Sequence, residues 1–169
     1  ASGRGGSVYV SVGSGDSGAG GDVVMMAGTS SFSAGGQIYL SGGTSSVSTG
    51  GRVLIQSGFS STQSSGVVGI QSADSGVIGV SGFVTMSSGV SSNGNSGGLY
   101  LGSGQSTVGR GGVVSVTVGS GDSGAGGDVL VSAGGSSDTS LETASGGQVY
   151  LSGGTSASQT GGRVYIRSG

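Results

Sequence analysis

The sequence lacks His, Cys, Pro, Trp and Lys, and charged residues make up only 7% of its 169 residues. Without His, Cys and Lys it has no imidazole base, thiolate nucleophile, disulfide, Schiff base or Cys/His zinc site. Five Arg are its only cations and the formal net charge is −2, so no basic surface is available for phosphate backbones. We therefore expect neither an enzyme nor a nucleic-acid partner.

Gly and Ser dominate what is present. There are 44 Gly, and together with Ser they make up about half of the chain, a composition typical of flexible linkers. Two properties oppose that interpretation, because 32% of the residues are hydrophobic and the mean hydropathy is +0.18. No apolar run reaches the roughly 18 residues of a membrane helix, so we expect no membrane span.

The apolar residues follow a repeat of Gly-x-Φ-y-Φ, where Φ is aliphatic. We call the x residues the anchor column and the y residues the outer column. Successive anchors lie 15 residues apart, except for one step of 16 and one of 20. The anchor column consists of Ser7, Asp22, Gln37, Arg52, Val67, Phe83, Gly98, Val113, Asp128, Gln148 and Arg163.

The alternation of aliphatic residues predicts a short strand in each unit. One such strand buries too little surface by itself, so the units are expected to stack. The fold predicted is all-β: a single parallel β-solenoid, or β-helix, of about eleven coils over residues 1–169. Gly at the corners would allow positive φ or close backbone approach. Winding is expected to be right-handed, by analogy with parallel crossovers.

Two further features refine this prediction. Small residues two positions after the second aliphatic residue, here called the small column, indicate a thin cross-section. The small column consists of Val12, Ala27, Gly42, Ser57, Ser72, Ser88, Ser103, Val118, Ala133 and Gly153. A longer repeat of 106 residues relates 1–106 to a partial copy at 107–169, since Gly13 to Val23 recurs unchanged at Gly119 to Val129. Extra residues near 138–142 are expected to form a loop insertion.

The units Gly-Gly-x-Val-x-Φ-x-Ser-Gly-x-Ser-Ser and the segment 87–97 resemble the long Gly/Ser-rich solenoid repeats of secreted and surface proteins in microalgae and related protists. The resemblance covers nearly the whole chain. It implies an extracellular or cell-surface location and a role in fibres, hair-like appendages or cell walls.

Paired carboxylates are the only candidates for metal or acid–base chemistry. They are Asp16 with Asp22 and Asp122 with Asp128, in Gly-rich segments that faintly resemble a calcium-binding nonapeptide roll. Calcium takes six to eight oxygen ligands, and these pairs occur once per seven units, so we favour turns in which Asp caps backbone amides. The expected outcome is no cofactor and no catalytic residue, with calcium as the alternative.

The outer column carries every Tyr of the sequence and predicts an apolar contact surface. The candidate assembly face is Tyr9, Tyr39, Tyr100, Tyr150 and Tyr165. A candidate register ladder in the anchor column, which would fix how units align, is Asp22, Gln37 and Arg52, followed by Asp128, Gln148 and Arg163.

These features predict a structural protein that joins copies of itself end to end, and also laterally, in an extracellular filament or appendage. The dense Ser and Thr are candidate sites for O-linked glycans, although hydrogen bonding within turns explains most of them. The alternative is a surface-binding solenoid that recognises ice or glycans.

Overall fold

Three-residue bends recur through the chain with the period of the sequence repeat. The computed structural model describes Gly3, residues 5–137 and residues 145–169. Within these ranges the backbone forms irregular segments and contains neither α-helix nor β-strand. The bends lie at residues 16–18, 31–33, 46–48, 61–63, 77–79, 92–94, 107–109, 122–124 and 157–159. The 15-residue period is therefore a period of local conformation.

The predicted all-β fold, a parallel β-solenoid or β-helix, is wrong for the residues described. A solenoid requires in-register backbone hydrogen bonds between strands one repeat apart, whereas the backbone bonds found here, beyond any regular element, span 8 or 13 positions and close a loop shorter than one repeat. Alternating aliphatic residues favour an extended segment, but they do not specify the partner of its amides. Without hydrogen bonds between strands of successive repeats there are no solenoid coils. The predictions of right-handed winding and of a thin cross-section therefore do not apply to the described residues.

Each unit that is closed by a backbone hydrogen bond is closed at the same place. The amide of Gly36 donates to the carbonyl of Gly28 at 2.8 Å, and the amide of Gly51 donates to that of Gly43 at 2.7 Å. In both cases the donor is the Gly before an anchor and the acceptor lies eight positions earlier. We call this the closing bond. It recurs as Gly21 to Gly13, Gly66 to Gly58, Gly147 to Gly134 and Gly162 to Gly154.

The small column packs against the Gly that precedes the next anchor. A Cβ added at Gly42 would overlap the carbonyl oxygen of Gly51, and a Cβ at Gly21 would lie 2.5 Å from Cγ1 of Val12. This contact and the closing bond form what we call the loop base. Five of the six half-buried residues in the described ranges belong to the small column, namely Ala27, Gly42, Ser57, Ser72 and Gly153. Steric demand for Gly is therefore concentrated at the loop base.

The bends are held by two kinds of local chemistry. In one kind, a Ser hydroxyl before the bend accepts a backbone amide, as when the amide of Ser48 donates to Oγ of Ser45 at 3.0 Å. Ser30, Ser60 and Ser156 make the equivalent bond. In the other kind, the third bend residue is Gly with positive φ, at Gly79, Gly94 and Gly109. Side-chain capture of an amide and left-handed Gly are alternative ways to turn a chain.

The geometry of the loop base follows the 106-residue repeat. A Cβ at Gly153 would overlap the carbonyl of Gly162, as at the equivalent Gly42, and Cγ1 of Val118 would lie 2.6 Å from a Cβ at Gly127, as at Gly21. The predicted insertion at 138–142 lies outside the described residues. Its unit nevertheless has a closing bond, from Gly147 to Gly134 at 2.8 Å.

The contacts divide the chain into two units, Ala1–Thr85 and Met86–Gly169. No hydrophobic side chain among the described residues of either unit is buried, so the stacking expected from the aliphatic repeat does not produce an apolar interior there. The first aliphatic residue of each repeat is 47–59% exposed, except Val8 at 91%. Across the described ranges, no helix has the length and apolar character needed to cross a bilayer.

Candidate assembly surface

The Tyr residues of the outer column are exposed to solvent. Their exposed fractions lie between 79% for Tyr165 and 93% for Tyr100. Val24, Leu54 and Leu130 occupy the same column and are also exposed. Aromatic and aliphatic side chains therefore recur at solvent-facing positions, which is an unusual surface for a monomer.

Anchor and outer residues of the same unit touch each other. The Tyr39 hydroxyl donates to Oε1 of Gln37, and Nη1 of Arg163 donates to the hydroxyl of Tyr165 at 3.2 Å. At Gly98 the ring of Tyr100 lies over the backbone, and a Cβ added to Gly98 would be 3.0 Å from Cε2 of that ring. Residues two positions apart share one side of an extended segment. In these units the anchor and outer side chains therefore share one side of the backbone, and we call this side of a unit the anchor–outer face.

The predicted register ladder is not assembled within one chain. Asp22, Gln37 and Arg52 are all exposed, and the hydrogen bond of Gln37 is with Tyr39 in its own unit. Asp128, Gln148 and Arg163 are exposed as well, and Arg163 contacts Tyr165 in its own unit. In the part of the chain that the structure describes, none of these four charged anchors has an oppositely charged partner.

The paired carboxylates are not gathered into a metal site. Asp16 lies in the bend 16–18 and Asp122 in the equivalent bend 122–124, whereas Asp22 and Asp128 are anchors. The described ranges contain no cluster of three or more His, Cys, Asp or Glu side chains. They also enclose no pocket for a small molecule.

The chain exposes far more surface than a folded domain of its size. Its accessible area is 17,008 Å², whereas a folded 15.6 kDa chain exposes about 7,000 Å² and a fully extended one about 23,000 Å². Aliphatic side chains contribute throughout, with Leu40 at 62% and Ile55 at 66% exposed. Burial of apolar surface is favourable in water, so the apolar surface exposed by a single copy favours association.

Two functional positions were missed by sequence reasoning. The first is the Ser eight residues after an anchor, such as Ser45 after Gln37, which accepts the amides of its bend. The second is the small column, which forms the loop base instead of lining an interior. The regular recurrence of Ser at the former position was visible in the sequence, although its hydrogen-bond partner was not.

Comparison of the chain with protein-family models, curated proteins and solved structures finds no match. The resemblance to Gly/Ser-rich surface proteins of microalgae and protists therefore stays a prediction from the sequence.

Proposed function

We propose that this chain is a structural subunit of an extracellular filament or surface appendage, built by association of copies of the chain. The observation that carries the proposal is the regular exposure of apolar side chains. Each repeat presents the same aliphatic and outer-column positions to solvent, and no described hydrophobic side chain is buried. Contact with other copies removes this surface from water, and at about 25 cal/mol per Å² even a modest contact is favourable.

The long repeat supports open-ended assembly. Residues 13–23 and 119–129 are identical in sequence, and their loop bases have nearly the same close contacts at Gly21 and Gly127. A surface that binds one copy is therefore present a second time in the same chain. Two equivalent sites per chain allow end-to-end growth, whereas a single self-complementary patch stops at a dimer.

The proposed extracellular location comes from the resemblance of the repeats to secreted and surface proteins. The exposed hydroxyls of the bends, such as Ser31, Ser46 and Ser61, are candidate acceptors for O-linked glycans in that compartment. No catalytic role is proposed, because the sequence has no His, Cys or Lys and the outer-column surface serves association without any chemical step.

The proposal is tested by sedimentation velocity and negative-stain microscopy of the full chain at micromolar concentration. We expect large species and filaments. A double variant, Tyr39→Ser with Tyr150→Ser, should assemble more weakly because it removes aromatic area from the outer column. The matched control is Phe32→Ser with Val108→Ser, which removes apolar area from exposed bends instead.

A chain that stays monomeric and forms no filaments would overturn the proposal. If such a monomer shaped ice crystals or bound glycan arrays, the surface-binding alternative would replace it. Assembly that is unchanged by loss of both Tyr side chains would show that the outer column is not the contact surface.

A further inference from the structure

The charged residues of the anchor column occur in a regular pattern and form no ion pairs within the described part of the chain. All four lie in two Asp–Gln–Arg triplets, Asp22 to Arg52 and Asp128 to Arg163, and every other anchor is uncharged. Each charged anchor is exposed, and none has an oppositely charged partner within the described residues. Isolated opposite charges of this kind are free to pair between molecules.

Gln37 lies midway between the two charges of the first triplet. The step from Asp22 to Gln37 and the step from Gln37 to Arg52 are each 15 residues. The first step passes through the loop closed by Gly28 and Gly36 at 2.8 Å, with its bend held by Ser30 at 3.0 Å. The second step has a closing bond of 2.7 Å and a Ser bond of 3.0 Å. The two steps are therefore equivalent, which makes the triplet symmetric about its centre.

A symmetric triplet with opposite charges at its ends is self-complementary when one copy is reversed. On the proposed function, in which copies associate, we propose that two chains pair side by side in opposite directions through the anchor–outer face. Asp22 of each copy then faces Arg52 of the other, and Gln37 lies on the two-fold axis. Pairing in the same direction and register would instead place Asp22 on Asp22 and Arg52 on Arg52, which is repulsive.

The outer column is compatible with the same axis. Val24 and Leu54 each lie two residues after a charged anchor, so reversed pairing about Gln37 places them beside the two Asp22–Arg52 pairs. Tyr39 lies two residues from the axis and contacts Gln37 on this face. Polar anchors set the direction of pairing, while the apolar outer residues, 69–86% exposed in this segment, supply contact area.

The second triplet repeats the residue types but not the spacing, because its first step is 20 residues and its second is 15. Asp128, Gln148 and Arg163 carry the same residue types in the same order, and Arg163 contacts Tyr165 on the same face. The closing bonds on either side of Gln148, at Gly147 and Gly162, are both 2.8 Å. Each chain therefore has two triplets, and each can pair with a reversed triplet of another copy.

The first test places like charges across the interface in the full chain. Asp22→Arg with Asp128→Arg should weaken association about tenfold or more at low ionic strength, because each altered anchor then faces an Arg. The matched control, Asp16→Arg with Asp122→Arg, changes the net charge equally at carboxylates in the bends. It should associate as the original chain does.

The second test distinguishes reversed from same-direction pairing. A charge-exchanged chain carries Asp22→Arg, Arg52→Asp, Asp128→Arg and Arg163→Asp. Reversed pairing predicts that it associates with itself as strongly as the original chain but is excluded from mixed assemblies. Energy transfer between dyes on the α-amino group measures mixing, since the sequence has no Lys to label.

The outcomes separate this inference from the proposed function. If the original chain does not associate at all, both are overturned. If it associates but the anchor variants behave like the bend control, only the pairing inference is overturned. Free mixing of the original and charge-exchanged chains also overturns it, whereas exclusion together with self-association supports it.

Discussion

The loops of residues 28–66 and those of residues 89–112 share one sequence period but close in different ways. In the first region Ser45 accepts the amide of Ser48, and Gly51 donates a closing bond to Gly43. In the second region Ser91 stands at the place of Ser45, but the bend 92–94 turns through Gly94 at φ +121°. No closing bond forms between residues 72 and 127, all of which the structure describes.

The two forms differ at the third residue of the bend. Where it is Ser48 or Gln63, its φ is negative and its amide reaches the Ser hydroxyl before the bend. Where it is Gly94 or Gly109, the backbone adopts positive φ, which side chains disfavour. Gly18 and Gly124 hold the same place without positive φ, and a closing bond joins Gly21 to Gly13 whereas none joins Gly127 to Gly119. Positive φ therefore accompanies an open loop, but the third residue alone does not set closure.

The largest effect is expected when a side chain is placed at the loop base. Gly42→Ala would set a Cβ against the carbonyl oxygen of Gly51, so the loop must open and the closing bond must break. Amide hydrogen exchange at Gly51 should then rise to the rate of an open chain. Gly43→Ala is the control, because a Cβ at Gly43 meets nothing within 4 Å; equal exchange in the two variants would refute the loop base.

A smaller effect is expected from converting one form of bend into the other. Gly94→Ala penalises positive φ by about 1–3 kcal/mol, so the bend should change to negative φ and direct its amide at Ser91. The scalar coupling between amide and Hα protons of residue 94 reports φ directly. Gly89→Ala, at an open position outside the positive-φ region, should leave the bend unchanged. Retention of positive φ at position 94 of the substituted chain would show that the third residue does not determine the form of this bend.

Removing the Ser hydroxyl should affect only the first region. Ser45→Ala deletes the acceptor of the Ser48 amide and should destabilise the bend by about 1 kcal/mol, as loss of a similar cap does in helices. Faster exchange of that amide is the expected measurement. Ser91→Ala in the other region should change nothing. Equal responses in the two regions would show that their bends are held alike.

The smallest effect is expected at Ser103. Its hydroxyl donates to the carbonyl of Gly112 at 2.9 Å, so a side chain bridges this loop base where a closing bond is absent. Ser103→Ala should destabilise the loop by about 0.5–1.5 kcal/mol, measured as a chemical-shift change at Gly112 and Val113. Ser88→Ala alters the same column without removing a described bond; an equal shift there would contradict the bridge.

The sequence predicted the period and the exposure of the outer column. It did not predict the hydrogen-bond partners. The alternating residues Ile38 and Leu40 are compatible with any extended segment. They do not identify the strand with which that segment would pair. The amide of Gly51 bonds to the carbonyl of Gly43, eight positions earlier. The residue pattern does not distinguish this local bond from one to a strand a full repeat away.

The candidate site was predicted to the same extent. The anchor and outer columns were identified from spacing, and the contacts of Gln37 with Tyr39 and Arg163 with Tyr165 follow from residues two apart sharing a side. The register ladder requires the anchors of neighbouring repeats to lie side by side. The spacing of residues in the sequence does not determine the distance between neighbouring repeats. The role of Ser45 depends on the bend geometry, which becomes evident only in three dimensions.

The loop base also determines how the repeat tolerates foreign sequence. The bond from Gly147 to Gly134 spans 13 positions, five more than the other closing bonds, and it is as short as they are. Lengthening a closed loop by that amount costs only about 0.4 kcal/mol of chain entropy. A peptide of about five residues inserted between Gly43 and Gly51 should therefore leave their closing bond in place.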